Sequence, residues 1–135
     1  MARLIATLVC DDVREEKSGK LTVVGLYNRD LIVTMPEPTP KITFPKICIV
    51  QRWESDDKKH DGRLEFHDHE GKIRVSQAFE VKSSPSPAIS NLMFHIVGPT
   101  LSPGFQKIKT FLDGLPVEEY ELEIKTNIVK PPSAG

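Results

Sequence analysis

The chain has no apolar run approaching the roughly 20 residues that a membrane-crossing helix needs, so no membrane partner is expected. It has no excess of either charge. Eighteen lysines and arginines face 19 aspartates and glutamates, for a formal net charge of −1. A nucleic-acid binder gathers a basic face that releases counterions from phosphate, and no basic stretch of that kind occurs here. Nucleic acid is therefore excluded as the expected partner. Two cysteines in 135 residues are too few for a disulfide scaffold. Gly19, Gly25 and Gly62 are too scattered for a phosphate-binding loop, and no serine sits in a nucleophile-elbow context. With no such motif, no cofactor and no catalytic residue are assigned, and the protein is not read as an enzyme.

The N-terminus is equally poor in targeting features. Arg3 and the apolar stretch 4–9 are too short for a secretory core, and Asp11 and Asp12 follow at once. Cys10 is preceded by Val9, which is too large for a lipidation site. A cytoplasmic location is the expectation, where Cys10 and Cys48 stay reduced. Both lie in apolar, strand-like runs, so they are read as buried free thiols ahead of catalytic nucleophiles. No histidine neighbours either in sequence, though one can still approach in space.

What the chain does have is strand signal. Segments 4–10, 20–27, 30–34, 46–53, 63–67, 72–82, 89–97, 105–112 and 117–128 are rich in Val, Ile, Leu, Phe and Thr and are separated by turn residues. Ile73, Val75, Phe79 and Val81 alternate with Arg74, Ser76 and Glu80; Tyr120, Leu122 and Ile124 alternate with Glu119, Glu121 and Glu123. That period of two marks strands with one face in a core and one in water. Segment 89–97 is apolar on both faces, which suggests a covered or central strand. Pro116 to Glu123 is the best helical candidate, but the alternation running on to Ile128 argues for strand.

About nine short strands and proline-rich connections predict an all-β, single-domain antiparallel β-sandwich over 1–130, immunoglobulin-like or of a related two-sheet topology. The Cys–Trp–Cys fingerprint of immunoglobulin domains is not met, because Trp53 closely follows Cys48 and no later cysteine exists. Three stretches, 35–40 with Pro45 beyond, 83–87 and 98–104, are read as crossovers between sheets. Residues 131–135 are read as a frayed tail. Asp113-Gly114 is the strongest turn signal. A two-residue turn there would pair Leu112 with Leu115 and mix the faces along both strands. Burial, worth about 1.5–3 kcal/mol per large side chain, therefore predicts an odd-length loop in which Ile108, Leu112, Tyr120, Leu122 and Ile124 share the core face.

Two clusters have residue types that carry chemistry. His60, Asp61, His67, Asp68 and His69 hold potential metal ligands, with His67 and His69 in phase on a strand. The blander reading is favoured: polar turns use Asp and Gly for backbone reasons, and the spacing fits no defined zinc pattern. Asp11, Asp12 and Arg14 form the second cluster. They lack the regular oxygen spacing of a calcium loop, so a structural role at a strand bend, with Arg14 paired to a nearby acid, is favoured.

The run Cys10-Asp11-Asp12-Val13-Arg14-Glu15-Glu16, followed by Gly19-Lys20-Leu21-Thr22-Val23-Val24-Gly25-Leu26-Tyr27, resembles the hairpin signature of a family of small bacterial proteins of unknown function. The resemblance covers residues 4–34 and, more loosely, 45–50. It implies a compact β fold and attaches no activity. The reading is thus a non-enzymatic interaction or accessory module that presents a surface or sheet edge to an unknown protein partner. A homodimer through an edge strand, 117–128 or 105–112, is one form of this. The alternative is a metal-binding protein or metal-dependent hydrolase using the His60–His69 region. A third, a small-ligand pocket between the sheets, has no specific residue to support it.

Overall fold

The computed structural model describes residues 1–129. They form eleven strands and no helix: β1 (Arg3–Glu15), β2 (Leu21–Leu26), β3 (Asp30–Met35), β4 (Ile42–Thr43), β5 (Lys46–Glu54), β6 (His60–His67), β7 (Ile73–Val81), β8 (Ile89–Val97), β9 (Thr100–Leu101), β10 (Gly104–Leu112) and β11 (Leu115–Ile128). A four-stranded sheet has the order β2-β1-β5-β8, and a five-stranded sheet the order β3-β11-β10-β6-β7. The all-β, two-sheet class expected from the alternation is what forms. Every pair is antiparallel except β3–β11, which is parallel. The two strands beyond those expected, β4 and β9, are two-residue ladders inside connections, too short to leave a periodic signal. The frayed tail expected at 131–135 lies outside the described residues.

Alternation decides which side chains meet. Val9, Ile47, Ile49, Phe94 and Ile96 of the four-stranded sheet pack on Leu31, Leu64, Phe66, Ile108, Tyr120, Leu122 and Ile124 of the five-stranded sheet. Each large side chain so buried contributes about 1.5–3 kcal/mol. One polar clasp crosses this core. The fully buried Gln51 amide donates to Thr110 Oγ1 at 2.8 Å and Thr7 Oγ1 at 3.4 Å, while its Oε1 accepts from Trp53 Nε1 at 3.3 Å. With both ends satisfied, hydrogen bonds offset the desolvation of the amide, which ties β5 of one sheet to β10 of the other. The three proline-rich stretches do cross between sheets: β3 to β5, β7 to β8, and β8 to β10.

Two expectations about the C-terminal strands are corrected. β10 is not an edge, being flanked by β11 and β6. β11 is also interior in the sheet order, although β3 covers it only from Glu123 to Ile128. The turn is not odd-length either. Leu112 pairs directly with Leu115 across Asp113 (φ 50°) and Gly114 (φ 80°), the positive-φ pair of a tight two-residue hairpin. The face conflict is real, and it is relieved further along. Phe111 pairs with Pro116 but Thr110 pairs with Glu118, so Val117 is left over as a bulge, and Ile108 opposite Tyr120 is restored. The turn keeps its preferred geometry and the strands keep their faces, at the cost of one unpaired, half-exposed residue.

Deleting Val117 should remove the bulge and preserve every pair, shifting the melting temperature by no more than a few degrees. Deleting Glu121 instead inverts the facing of the residues on one side of it and should abolish cooperative unfolding. Thermal denaturation of the two variants distinguishes these outcomes.

Candidate functional site

The sheet order β1-β5-β8 sets three chemistry-bearing side chains in one row. Cys10 pairs with Cys48 across β1 and β5, and Cys48 pairs with His95 across β5 and β8. Partners in adjacent strands point to the same side, here the outer face of the four-stranded sheet. Asp12 lies two residues on from Cys10. One carboxylate oxygen of Asp12, Cys48 Sγ and one ring nitrogen of His95 all lie within 4.8 Å of one another.

Both cysteines are free and fully buried, as their apolar context suggested. Their cover comes from the β1–β2 hairpin. Val13, Leu21 and Val23 join Cys10, Cys48 and Val50 in a second apolar cluster, with Leu8 and Met93 against it. Beyond Cys10 the arm of the hairpin carries Val13, Leu21 and Val23 over the two thiols, with no shift of register between β1 and β2. At its base the Asp11 side chain packs against Gly25. That glycine has φ +67°, and any Cβ there would strike the Asp11 carboxylate. Tyr27 Oη donates to Asp11 Oδ1 and holds it in place.

The charges follow from this geometry. Lys46 Nζ donates to Asp12 Oδ1 at 2.6 Å, and Arg14 Nε lies 3.5 Å from Asp12 Oδ2. The Lys46 hydrogen bond holds the Asp12 carboxyl below its usual range, and the Lys46 ammonium is raised in turn. The Cys48 thiol lies 3.2 Å from His95 Nδ1 and 3.7 Å from the Asp11 carbonyl, so its single hydrogen can serve one at a time. Burial pushes the Cys48 thiol up; burial and then the neighbouring Cys48 push Cys10 up to about 11. A thiol held protonated is a poor nucleophile, which argues against cysteine catalysis here.

The His60–His69 region is spread out by the strand it lies on. His60 and His67 begin and end β6, about 23 Å apart at strand rise. His60 is clasped by two carboxylates: Nδ1 is 2.5 Å from Asp113 Oδ2, and Nε2 is 2.8 Å from Asp56 Oδ1. These hydrogen bonds, Asp113 first, raise its pKa. Asp113 is lowered by His60, and Asp56 chiefly by the Lys58 backbone N–H. The Asp61 N–H donates to Asp113 Oδ1, which fastens the β10–β11 turn to the start of β6. His67 Nε2 is 3.0 Å from Glu65. Asp68 accepts from the backbone N–H groups of Glu70 and Lys72 in the β6–β7 turn. His69 stacks over Gly104 and its N–H donates to Gln106 Oε1. These side chains do not converge on one point, and the His95 cluster is where ligand types do. Recesses of about 490 and 520 Å³ lie on the outer faces, the first beside Gly62 and Phe79, the second beside Leu21 and Arg52.

The family of unknown function DUF6941 matches residues 5–125. The chain belongs to the DUF6941 family. The match spans both sheets and does not single out the signature at 4–34 and 45–50 that carried the resemblance in sequence. No curated protein matches. Among solved structures, the chain is similar to the Pseudomonas fluorescens alkylpurine DNA glycosylase AlkC bound to DNA containing an abasic site analog. The identity is 15%, the TM-score is 0.38, and the likeness covers 70% of this chain and 27% of that one. A similarity that slight says nothing of activity.

Two outcomes are expected of this DUF6941 chain. Cys10 and Cys48 should react slowly with a thiol reagent in the native state and fast in denaturant, since cover and protonation both oppose attack; rapid native labelling would contradict it. The His60 clasp should stabilise the fold below the ordinary histidine pKa and lose that contribution as pH rises through the raised one. Asp56 and Asp113 lose theirs as pH falls through their lowered pKa values. Chemical denaturation of the wild type should therefore show a fall in stability between neutral and alkaline pH that His60→Gln lacks.

Proposed function

We propose that this protein is a non-enzymatic interaction module that acts through the free edge of β8, and that the partner strand is β8 of a second copy. One observation carries the reading. β8 runs nine residues, Ile89-Ser90-Asn91-Leu92-Met93-Phe94-His95-Ile96-Val97, without Asp, Glu, Lys, Arg or Pro, and it pairs with β5 along its whole length with no register shift. Sheet edges are normally blunted by charge, proline, bulges or brevity, because an open row of N–H and C=O groups recruits another strand.

The other edges carry such devices. β7 has Arg74 and Glu80 and faces a register shift in β6. β2 is six residues long and is broken by Gly25 at positive φ. β3 is short, and Lys125 pairs with its Asp30 at 3.5 Å. The uncovered half of β11 has Pro116, the Val117 bulge and three glutamates. Among the described residues, only the β8 edge runs nine residues with no charge, proline, positive-φ glycine or register shift. Its ends also expose Ile89 (46%) and Val97 (78%).

β8 is its own complement. In an antiparallel two-fold pairing centred on Met93, Ile89 faces Val97 of the second copy, Asn91 faces His95, and Leu92 faces Phe94. Met93 meets itself and Ser90 faces Ile96, so four of the five distinct contacts match in kind, and the Asn91–His95 pair can share a hydrogen bond. The result is one continuous sheet and an isologous dimer. A cytoplasmic setting belongs to the same reading, supported by the two free thiols.

Light scattering at micromolar concentration should show a dimer for the wild type. Ile89→Lys with Val97→Lys sets like charges opposite each other at both ends and should give a folded monomer. Ile89→Lys with Val97→Glu sets opposite charges there and should restore the dimer. A wild type that is monomeric, or a double-lysine variant that still dimerises, overturns the β8 pairing.

A further inference from the structure

A carboxylate, a thiol and an imidazole brought within reach of one another by three different strands make a donor set that no backbone turn requires. Asp12 comes from β1, Cys48 from β5 and His95 from β8, and their donor atoms lie within 4.8 Å of one another. These residues are remote from one another in sequence, and only the order β1-β5-β8 assembles them. We propose that Asp12, Cys48 and His95 bind a zinc ion, a site separate from the His60–His69 region.

The chemistry of the set favours this metal. Zinc takes thiolate sulfur, imidazole nitrogen and carboxylate oxygen together in tetrahedral sites, at about 2.3, 2.0 and 2.0–2.2 Å. Those bond lengths put neighbouring ligand atoms about 3.3–3.7 Å apart. The 3.2 Å between Cys48 Sγ and His95 Nδ1 is already close to that separation. Calcium and magnesium would demand more oxygen ligands than the cluster has. The position is built for permanence on one side and access on the other. Cys48 is fully buried beneath the β1–β2 hairpin, while His95 is exposed and Asp12 is about 29% exposed. An ion can therefore enter along the Asp12–His95 side, with water completing its shell.

The site has an internal competitor. Lys46 Nζ holds Asp12 Oδ1 at 2.6 Å, so a cation already occupies the carboxylate. Zinc must displace that ammonium, and the Lys46 side chain, about one-third exposed, can swing its charge into water. On binding, the Cys48 S–H bond breaks, its proton passes to solvent, and the sulfur lone pair is given to zinc. Removing Lys46 should consequently strengthen binding, an effect that a merely structural role for the cluster does not produce.

The test uses the full chain, stripped with chelator and titrated with Zn²⁺ alone, then with Co²⁺ as a spectroscopic substitute. One equivalent of zinc is expected, and cobalt should show a thiolate charge-transfer band in the near ultraviolet. His95→Ala changes an exposed side chain and should fold, yet lose zinc affinity by about 10- to 100-fold or more. Lys46→Met should tighten binding by about fivefold, the worth of a surface ion pair. His67→Ala should change nothing. Three results overturn the proposal: no stoichiometric binding by the wild type, unchanged affinity in His95→Ala, or a cobalt complex without the thiolate band. Because the ligands all come from one protomer, the result does not depend on the β8 dimer, and Ile89→Lys with Val97→Lys should bind zinc as the wild type does.

Discussion

A strand buried on both faces must find cover on both, and β5 imposes that requirement on the rest of the molecule. Ile47, Cys48, Ile49, Val50, Gln51 and Trp53 have no exposed surface at all. The inner set, Ile47, Ile49, Gln51 and Trp53, is covered by the five-stranded sheet in the ordinary way of a sandwich. The outer set, Cys48 and Val50, has no third sheet to meet. The arm of the β1–β2 hairpin covers them instead, through Val13, Leu21 and Val23. Without that cover two apolar side chains at the centre of the sheet would face water; at the base of the arm Asp11, Gly25 and Tyr27 pack together.

The acidic knot in β1 thus has two jobs divided between neighbours. Asp11 is turned toward Gly25 and Tyr27 and packs the base of the hairpin arm. Asp12 is turned toward Lys46, Arg14 and the Cys48–His95 pair and carries the charge. Alternation along a strand is what separates them. Two identical residues, adjacent in sequence, end up in different chemistry because successive side chains point to opposite faces.

β8 joins this region to the outside. Its His95 completes the row that starts at Cys10, while its far edge lacks every device that keeps other edges solitary. Its apolar character on both faces is what suggested a covered, central strand. In the fold it has a neighbour on one side only. The same composition that suits burial between strands therefore stands at an open edge, and that mismatch is the physical argument for a partner.

The sequence by itself determined the all-β class, the two facing sheets, the crossovers marked by Pro36, Pro85 and Pro99, the burial of Cys10 and Cys48, and the shared core face of Ile108, Tyr120, Leu122 and Ile124. These follow from local properties: period-two hydrophobicity, proline's missing donor, and the cost of exposing large apolar side chains. It also led to His60, Asp61, His67 and His69, which are close along the chain but are separated by the rise of β6. The tertiary structure alone decided which strands are neighbours, and so which side chains converge. His95 is passed over in sequence: it is the single titratable residue in the run 89–97, and nothing local ties it to residues 12 and 48. Strand order is set by global packing over long chain separations, which no window of sequence contains. The Val117 bulge has the same origin: the turn preference of Asp113-Gly114 and the facing of β11 are each legible, but how they are reconciled depends on β10 being held between β11 and β6.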